Sequence, residues 1–455
     1  MKYKLVLAIL FSMTAFPFMQ IQSQNRPLVQ TKFTADPAPL VHNGTVYLYT
    51  SHDEDDAPPG QGRFLMKEWL LYSSTDMVNW TDHGAVASLK DFDWVKNQEN
   101  GAWAPQCIER NGKFYLYCPM PGGIGIGVLV ADSPFGPFKD PIGKALIQNS
   151  REDIDPSVFI DDNGQAYIYW GNPNLWYAKL NEDMVSISGD IIKDPLIRKV
   201  EGVPDPYHYQ EGPWAYKRND NYYMAYASTC CPEGIGYAMG KSPIGPWEFK
   251  GYIMKPDKRA TGNHPGIIDY KGKTYVFGFN FWLNFQLTEK HHERRSVCVA
   301  EIKFNPDGTI QELPWWEEGT PVKPIGSLDP YQRVEAETIA WSQGLKTERG
   351  DNVGMYVTSV HNNDYIHVRA VDFKEGAKSF EINAASVSGG KVEIRLDSVD
   401  GTLLGVCEID DTGSNNTWKN YSTKVKKVKG IHDLYFVFKG GKEELFNINH
   451  WKFSR

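Results

Sequence analysis

The chain has 455 residues, more than one hydrophobic core usually serves, so two globular domains are expected. Its net charge of -8 leaves no basic footprint, which argues against nucleic acid as a partner. Aromatic residues reach 13%, with 14 Trp and 24 Tyr, and Gly and Pro punctuate short aromatic runs: the texture of an all-β protein rich in turns, whose flat exposed rings would suit sugars.

At the N-terminus, "MKYKLVLAILFSMTAFPFMQIQSQ" places Lys2 and Lys4 before a short apolar run ending near Pro17. This predicts a signal peptide over residues 1–24 and an exported protein, periplasmic or extracellular; the run is too short for a membrane span. The six cysteines are 107, 118, 230, 231, 298 and 407. No spacing among them resembles a zinc site, and the adjacent pair Cys230 and Cys231 would be strained as a disulfide, so mostly buried free thiols are expected.

Five segments then repeat one pattern: "ADPAPLVHNGTVYLYT", "WAPQCIERNGKFYLYC", "IDPSVFIDDNGQAYIYW", "EGPWAYKRNDNYYMAY" and "NHPGIIDYKGKTYVFGF". Each carries a Pro (37, 105, 156, 213, 265), an apolar stretch, a turn and an aromatic strand with Tyr at 47, 115, 167, 223 or 275. Asn-Gly at 43–44, 111–112 and 163–164 marks tight hairpins, because both residues tolerate positive φ. Repeats 68, 51, 57 and 52 residues apart, with no helical pattern between them, predict a five-bladed β-propeller over residues 25–325. The loop "HDEDDAPPG" at 52–60 lacks the spacing of a calcium hand and reads as a solvated rim, and "DDNG" at 161–164 as a hairpin turn.

In a propeller the first strand of each blade lines the axis, so the residues ahead of each Pro converge. These heads are Asp36, Trp103-Ala104, Asp155, Glu211-Gly212 and His264. Asp-Pro alone is an ordinary turn starter. Three acids at equivalent repeat positions are not required by β-folding and would repel one another unless put to use. Two carboxylates across a pocket are the equipment of glycoside hydrolysis, one protonated and one ionised. Glu211, beside Trp214 and near other anions, has surroundings that favour the protonated form.

The motifs "ADPAP", "IDPSVFIDDNGQAYIYWG", "EGPWAYKRNDNYYMAYAS", "NHPGIIDYKG" and "RRSVCVAEIKFNPDGTI" make residues 30 to about 320 resemble glycoside hydrolase family 43. The resemblance implies an inverting hydrolase without a catalytic cofactor, acting on furanosides and xylosides of plant cell-wall polysaccharides. Asp36 would be the general base, Asp155 the group that orients and tunes the acid, and Glu211 the general acid. It also implies substrate contacts at Trp103, His264 and Arg295, and a calcium at the axis near His264. For Trp103 a core position between blades is an equal alternative, for His264 a hydrogen-bonded axial histidine, and for Arg295 an ion-paired face.

Pro321, Pro324 and Pro330 mark a linker, after which alternating short strands predict a β-sandwich of jelly-roll type over residues 326–455. "VEAE", "NNDYIHV", "NTWKNYST" and "LFNINHWKF" resemble carbohydrate-binding module family 6. That resemblance implies a structural calcium held by Glu335 and Glu337, with Asn447 or Asn449 where a third acid is usual, and a sugar contact at Trp418 and Asn447. Tyr356, the candidate second aromatic, stands one residue out of place, and a one-residue shift on a strand changes its face. The resulting expectation is a monomeric exported hydrolase removing arabinofuranosyl or xylosyl units from arabinoxylan-type polysaccharide. A β-xylosidase, an arabinan-active enzyme and a non-catalytic carbohydrate-binding protein are the alternatives.

Overall fold

The computed structural model describes residues 27–55, 64–259, 263–287 and 294–455; the predicted signal peptide lies outside them, as does most of the 52–60 rim loop. Five antiparallel sheets of three or four propeller strands each follow one another along residues 33–302. Their first strands are Phe33–His42, Gln106–Arg110, Ser157–Ile160, Tyr209–Arg218 and Gly266–Tyr270. Each of these packs against the next, and the fifth packs against the first, so the ring closes. Closure is completed by hydrogen bonds to the last strand of blade 5 and the residue before it, Leu28 N to Val297 O at 2.8 Å and Thr34 N to Arg295 O at 2.9 Å.

The turn chemistry follows the sequence at two of the three Asn-Gly pairs. Asn43-Gly44 and Asn111-Gly112 both have positive φ at each residue, the geometry of a two-residue hairpin matched to strand twist. At Asn163-Gly164 only the glycine is left-handed: the loop is wider, closed by Asp161 N on Gln165 O and Gly164 N on Asp161 O.

The five repeat prolines meet on the axis. Pro37, Pro105, Pro156, Pro213 and Pro265 line one void of about 20 Å³, which Asp36, Asp155 and His264 also border. This is about the size of one water. Beside it the chain departs from regular strand. The pairing of Phe33–His42 with its neighbour slips between Ala35 and Ala38, and that of Tyr209–Arg218 slips around Glu211. A slip of this kind re-aims a side chain, here toward the axis.

Residues 334–454 form two further sheets that enclose a separate apolar core around Val357, Ile366, Phe380, Phe436 and Trp451. The two parts are joined by strand pairing: Thr338–Ile339 bonds to Trp80–Thr81 and adds a fifth strand to blade 1. Polar contacts reinforce this seam, with Lys32 Nζ donating to Asp82 (2.7 Å) and Thr347 (2.6 Å).

Candidate active site

Asp36 and Asp155 both adopt left-handed backbone, with φ of 52° and 56°, immediately before a proline. That conformation is unusual for a non-glycine residue, and the residue before proline is ordinarily extended. Strain of this kind concentrates where side-chain placement matters. In blade 4 the corresponding left-handed residue is Gly212, with φ of 57°. A Cβ there would lie 2.7 Å from the His264 ring, so glycine is needed both for the turn and for the close approach.

The result is a cavity of about 380 Å³ lined by Asp36, Asp155, Glu211, Trp103, His264 and Arg295, with Phe64, Met66, Ile154, Cys230, Cys231 and Glu233 completing the wall. His264 stands at the centre of the acids. Its Nδ1 is 3.5 Å from Asp36 Oδ1, and its Nε2 is 3.3 Å from Glu211 Oε1 and 3.8 Å from Asp155 Oδ2. Asp36 and Glu211 therefore face opposite nitrogens of one imidazole. Asp155 also accepts from Gly212 N at 3.3 Å.

Each acid has its own support. Asp36 accepts from Ser51 Oγ at 2.7 Å and from Arg295 Nη1 at 3.0 Å. Glu211 accepts a short hydrogen bond from Asn172 Nδ2, and Asn172 Oδ1 accepts in turn from Gln210 at 3.2 Å. Arg295 is buried and holds two acids at once: its Nε and Nη2 donate to Asp53 at 3.0 and 2.9 Å. Its guanidinium lies 4.2 Å from the Phe64 ring centroid and 4.9 Å from that of Phe279. The planar fork and the flanking rings suit arginine and not lysine.

The electrostatics follow from this packing. Burial alone would lower the His264 imidazole, but the carboxylates of Asp155, Asp36 and Glu211 outweigh it and raise it to about 10. The ring is thus an imidazolium at neutral pH. Burial pushes Asp155 up to about 7 against the pull of His264, with the Glu211 and Asp36 anions adding to the rise.

Sequence reading identifies the heads and leaves out their supports. Asp53, Ser51, Asn172 and Glu233 sit outside the repeated Pro-hairpin unit, so the period does not point to them. Glu233 is buried, lines the cavity and accepts from Asn263 N at 2.8 Å. The cysteine expectation needs correction at one pair. Cys107, Cys118, Cys298 and Cys407 are buried free thiols, but Cys230 and Cys231 are exposed and bonded to each other. Adjacent in a turn pinned at both ends, they have no core to retreat into and face one another.

The metal expectations meet the chain's own cations. The ligand atoms of Asp155, Glu211 and His264 lie within 4.8 Å of one another, close enough to share an ion. Calcium takes about six to eight ligands, waters among them, so two carboxylates and one imidazole nitrogen are enough to anchor an ion there once His264 gives up its proton. In the sandwich, Glu335 is paired with Arg333 through two hydrogen bonds of 2.7 and 2.8 Å, and Arg333 also reaches Asn449 at 3.3 Å. Glu337 is buried, its Oε2 has no hydrogen-bond partner, and burial pushes it up to about 9. The guanidinium occupies the place a cation would take beside Glu335, while Glu337 Oε2, buried and without a partner, is left as an open oxygen donor. Trp418 and Asn447 lie on the same sheet of the sandwich. Tyr356 packs edge-on to Trp418 at 5.5 Å, so the displaced aromatic does meet its partner.

A five-bladed propeller whose axial cavity gathers acids from three blades, followed by a β-sandwich, defines a glycoside hydrolase with an appended module. The chain belongs to glycosyl hydrolases family 43, whose model matches residues 25–310; residues 335–455 match the carbohydrate binding module (family 6). An arabinoxylan arabinofuranohydrolase of Bacillus subtilis (strain 168) is 35% identical over 95% of this chain and 92% of its own. One from Paenibacillus polymyxa is 32% identical over 99% of this chain and 79% of its own. The crystal structure of a family 43 arabinoxylan arabinofuranohydrolase from Bacillus subtilis in complex with cellotetraose aligns with a TM-score of 0.81 at 33% identity, covering 95% of this chain and 98% of that one.

Proposed function

We propose that the protein removes arabinofuranosyl units from arabinoxylan-type polysaccharide with inversion at the anomeric carbon. One observation carries the reading: Asp36, Asp155 and Glu211, from three blades, meet around His264 in a single cavity. Both relatives named above act on arabinoxylan, and they match this chain across propeller and sandwich together.

In this mechanism Asp36 is the base. It takes a proton from water as the water oxygen bonds to the anomeric carbon. Glu211 gives its proton to the glycosidic oxygen as that bond breaks, and the sugar and the shortened chain leave. Retaining enzymes need carboxyls about 5–5.5 Å apart, whereas inversion takes about 6.5–9.5 Å to admit water. An imidazole between Asp36 and Glu211 favours the second arrangement. Asn172 and His264 fix Glu211; Arg295 and Ser51 fix Asp36. The His264 imidazolium keeps the three acids tolerable in one buried site. Trp103 would contact the sugar. The sandwich, through Trp418 and Asn447, would contact the polysaccharide.

The test is product analysis by chromatography after incubation with arabinoxylan, linear arabinan and xylo-oligosaccharides. Free arabinose from arabinoxylan is the expected result. Free xylose from the oligosaccharides would make the protein a xylosidase and leave the acid assignments standing. No product from any of the three would sink the assignment and favour a carbohydrate-binding role.

A further inference from the structure

The wall of the cavity includes one group that the hydrolytic account leaves unused, the disulfide between Cys230 and Cys231. We propose that this disulfide is a specificity element: a fixed, apolar face on which the C–H face of the bound pentose, or of the unit it is attached to, packs. The inference rests on the reading that this cavity holds the sugar to be released.

Three observations support it. The bond closes a loop with no residues between its ends. Disulfides stabilise chiefly by closing long loops in the unfolded chain, so this one gains almost nothing as a staple. Stability therefore does not explain it. Second, its place is anomalous for cysteine: the other four thiols are buried, whereas both members of this pair are exposed at the cavity. Cysteine sulfur behaves as a small polarisable apolar group and ordinarily withdraws into the core.

Third, the turn that carries the pair is held on both sides. Thr229 N donates to His208 O at 2.8 Å, and Thr229 Oγ1 reaches Ser228 O at 2.6 Å and Pro232 O at 2.9 Å. Immediately after it, Glu233 is buried and accepts from Asn263 N. The sulfurs thus lie within 4.8 Å of the Glu233 carboxylate, on a turn that cannot easily retreat, and share the cavity wall with Glu211.

A pentose offers hydroxyls at its edges and C–H groups on its faces. A carboxylate beside an apolar patch matches that pattern, since Glu233 can take a hydroxyl and the sulfurs take the C–H face. The pair then does from blade 4 what Trp103 is placed to do from blade 2. Two thiols would be separate, rotatable and able to hydrogen-bond. A closed disulfide presents one rigid surface with no donor.

The test uses the full chain before and after treatment with a water-soluble phosphine. Phosphine, water and the disulfide give phosphine oxide and two thiols, and reoxidation in air reverses the change. Three quantities are read: kcat and KM for arabinose release, the dissociation constants for free arabinose and xylose, and Tm. The double variant Cys230→Ser with Cys231→Ser is measured beside it, and reduction of the unmutated chain guards against a folding failure. Loss of one apolar contact face should raise KM and the pentose dissociation constant about five- to tenfold, with kcat changed less than about twofold and Tm held. Unchanged KM and pentose affinity in the reduced chain would overturn the proposal, as would a loss confined to kcat. So would failure of the untreated chain to bind either pentose. If the untreated chain binds pentose in a disulfide-dependent way but releases no sugar, the hydrolytic reading fails and this inference stands.

Discussion

Arg295 bridges Asp36 and Asp53: Nη1 lies 3.0 Å from Asp36 Oδ1 while Nη2 lies 2.9 Å from Asp53 Oδ1, all three residues being buried. Removing one partner from a buried ion pair strands the other charge and costs about 3–5 kcal/mol. Arg295→Met strands two acids, so Tm should fall sharply by calorimetry. Arg295→Lys should recover little, because one ammonium cannot span both carboxylates or stack between Phe64 and Phe279.

Glu211 and Asp36 are separable by leaving group. Glu211→Gln should lower kcat on arabinoxylan about a hundred- to ten-thousand-fold, the usual range for a lost proton donor. On an aryl arabinofuranoside with an acidic phenol, which needs no protonation, most of that loss should disappear. Asp36→Asn should fall by a similar factor on both substrates, since the attacking water lacks a base either way. Steady-state kinetics on the two substrates decides, and equal losses for both variants on the aryl glycoside would reverse or void the assignment.

The His264 imidazolium makes stability depend on pH. Its pKa rises from 6.5 unfolded to about 10 folded, so the folded state holds the proton more tightly. That stabilisation is complete below about 6.5 and is lost as pH rises toward 10. Asp155, raised from 3.8 to about 7, acts in the same direction over lower pH: its share is complete below about 3.8 and gone above 7. Tm should therefore fall between pH 6.5 and 10 more steeply in the unmutated chain than in His264→Gln. Parallel curves would contradict the charge arrangement described.

Chelation provides a further check. Arg333 sits on Glu335 and the His264 imidazolium sits among the propeller acids. Treatment with a strong chelator should leave both Tm and arabinose release unchanged within error. A fall in either that calcium restores would show that a metal displaces one of these cations.

The propeller was legible because its signals repeat. A Pro, a turn and a strand Tyr recurring five times point to one axis, and the five prolines do line it. The heads were legible for the same reason, since equivalent positions in a radial repeat converge. What the repeat does not encode was not legible. Asp53 reaches Asp36 only through Arg295, 242 positions along the chain, and Asn172 meets Glu211 from a different blade. Neither belongs to a motif. The adjacent cysteines were visible, but composition favours burial, and only the fold shows that their turn stands at the cavity. Tyr356 shows the same limit on a smaller scale: it stood one residue from the expected place in sequence, and its ring nevertheless meets Trp418.

The central claim is inverting release of arabinose, and proton NMR during the first minutes of arabinoxylan hydrolysis tests it most directly. The account predicts that β-L-arabinofuranose accumulates first from the α-linked side chains, followed by slow mutarotation. Initial release of the α anomer would show retention and refute the base role of Asp36.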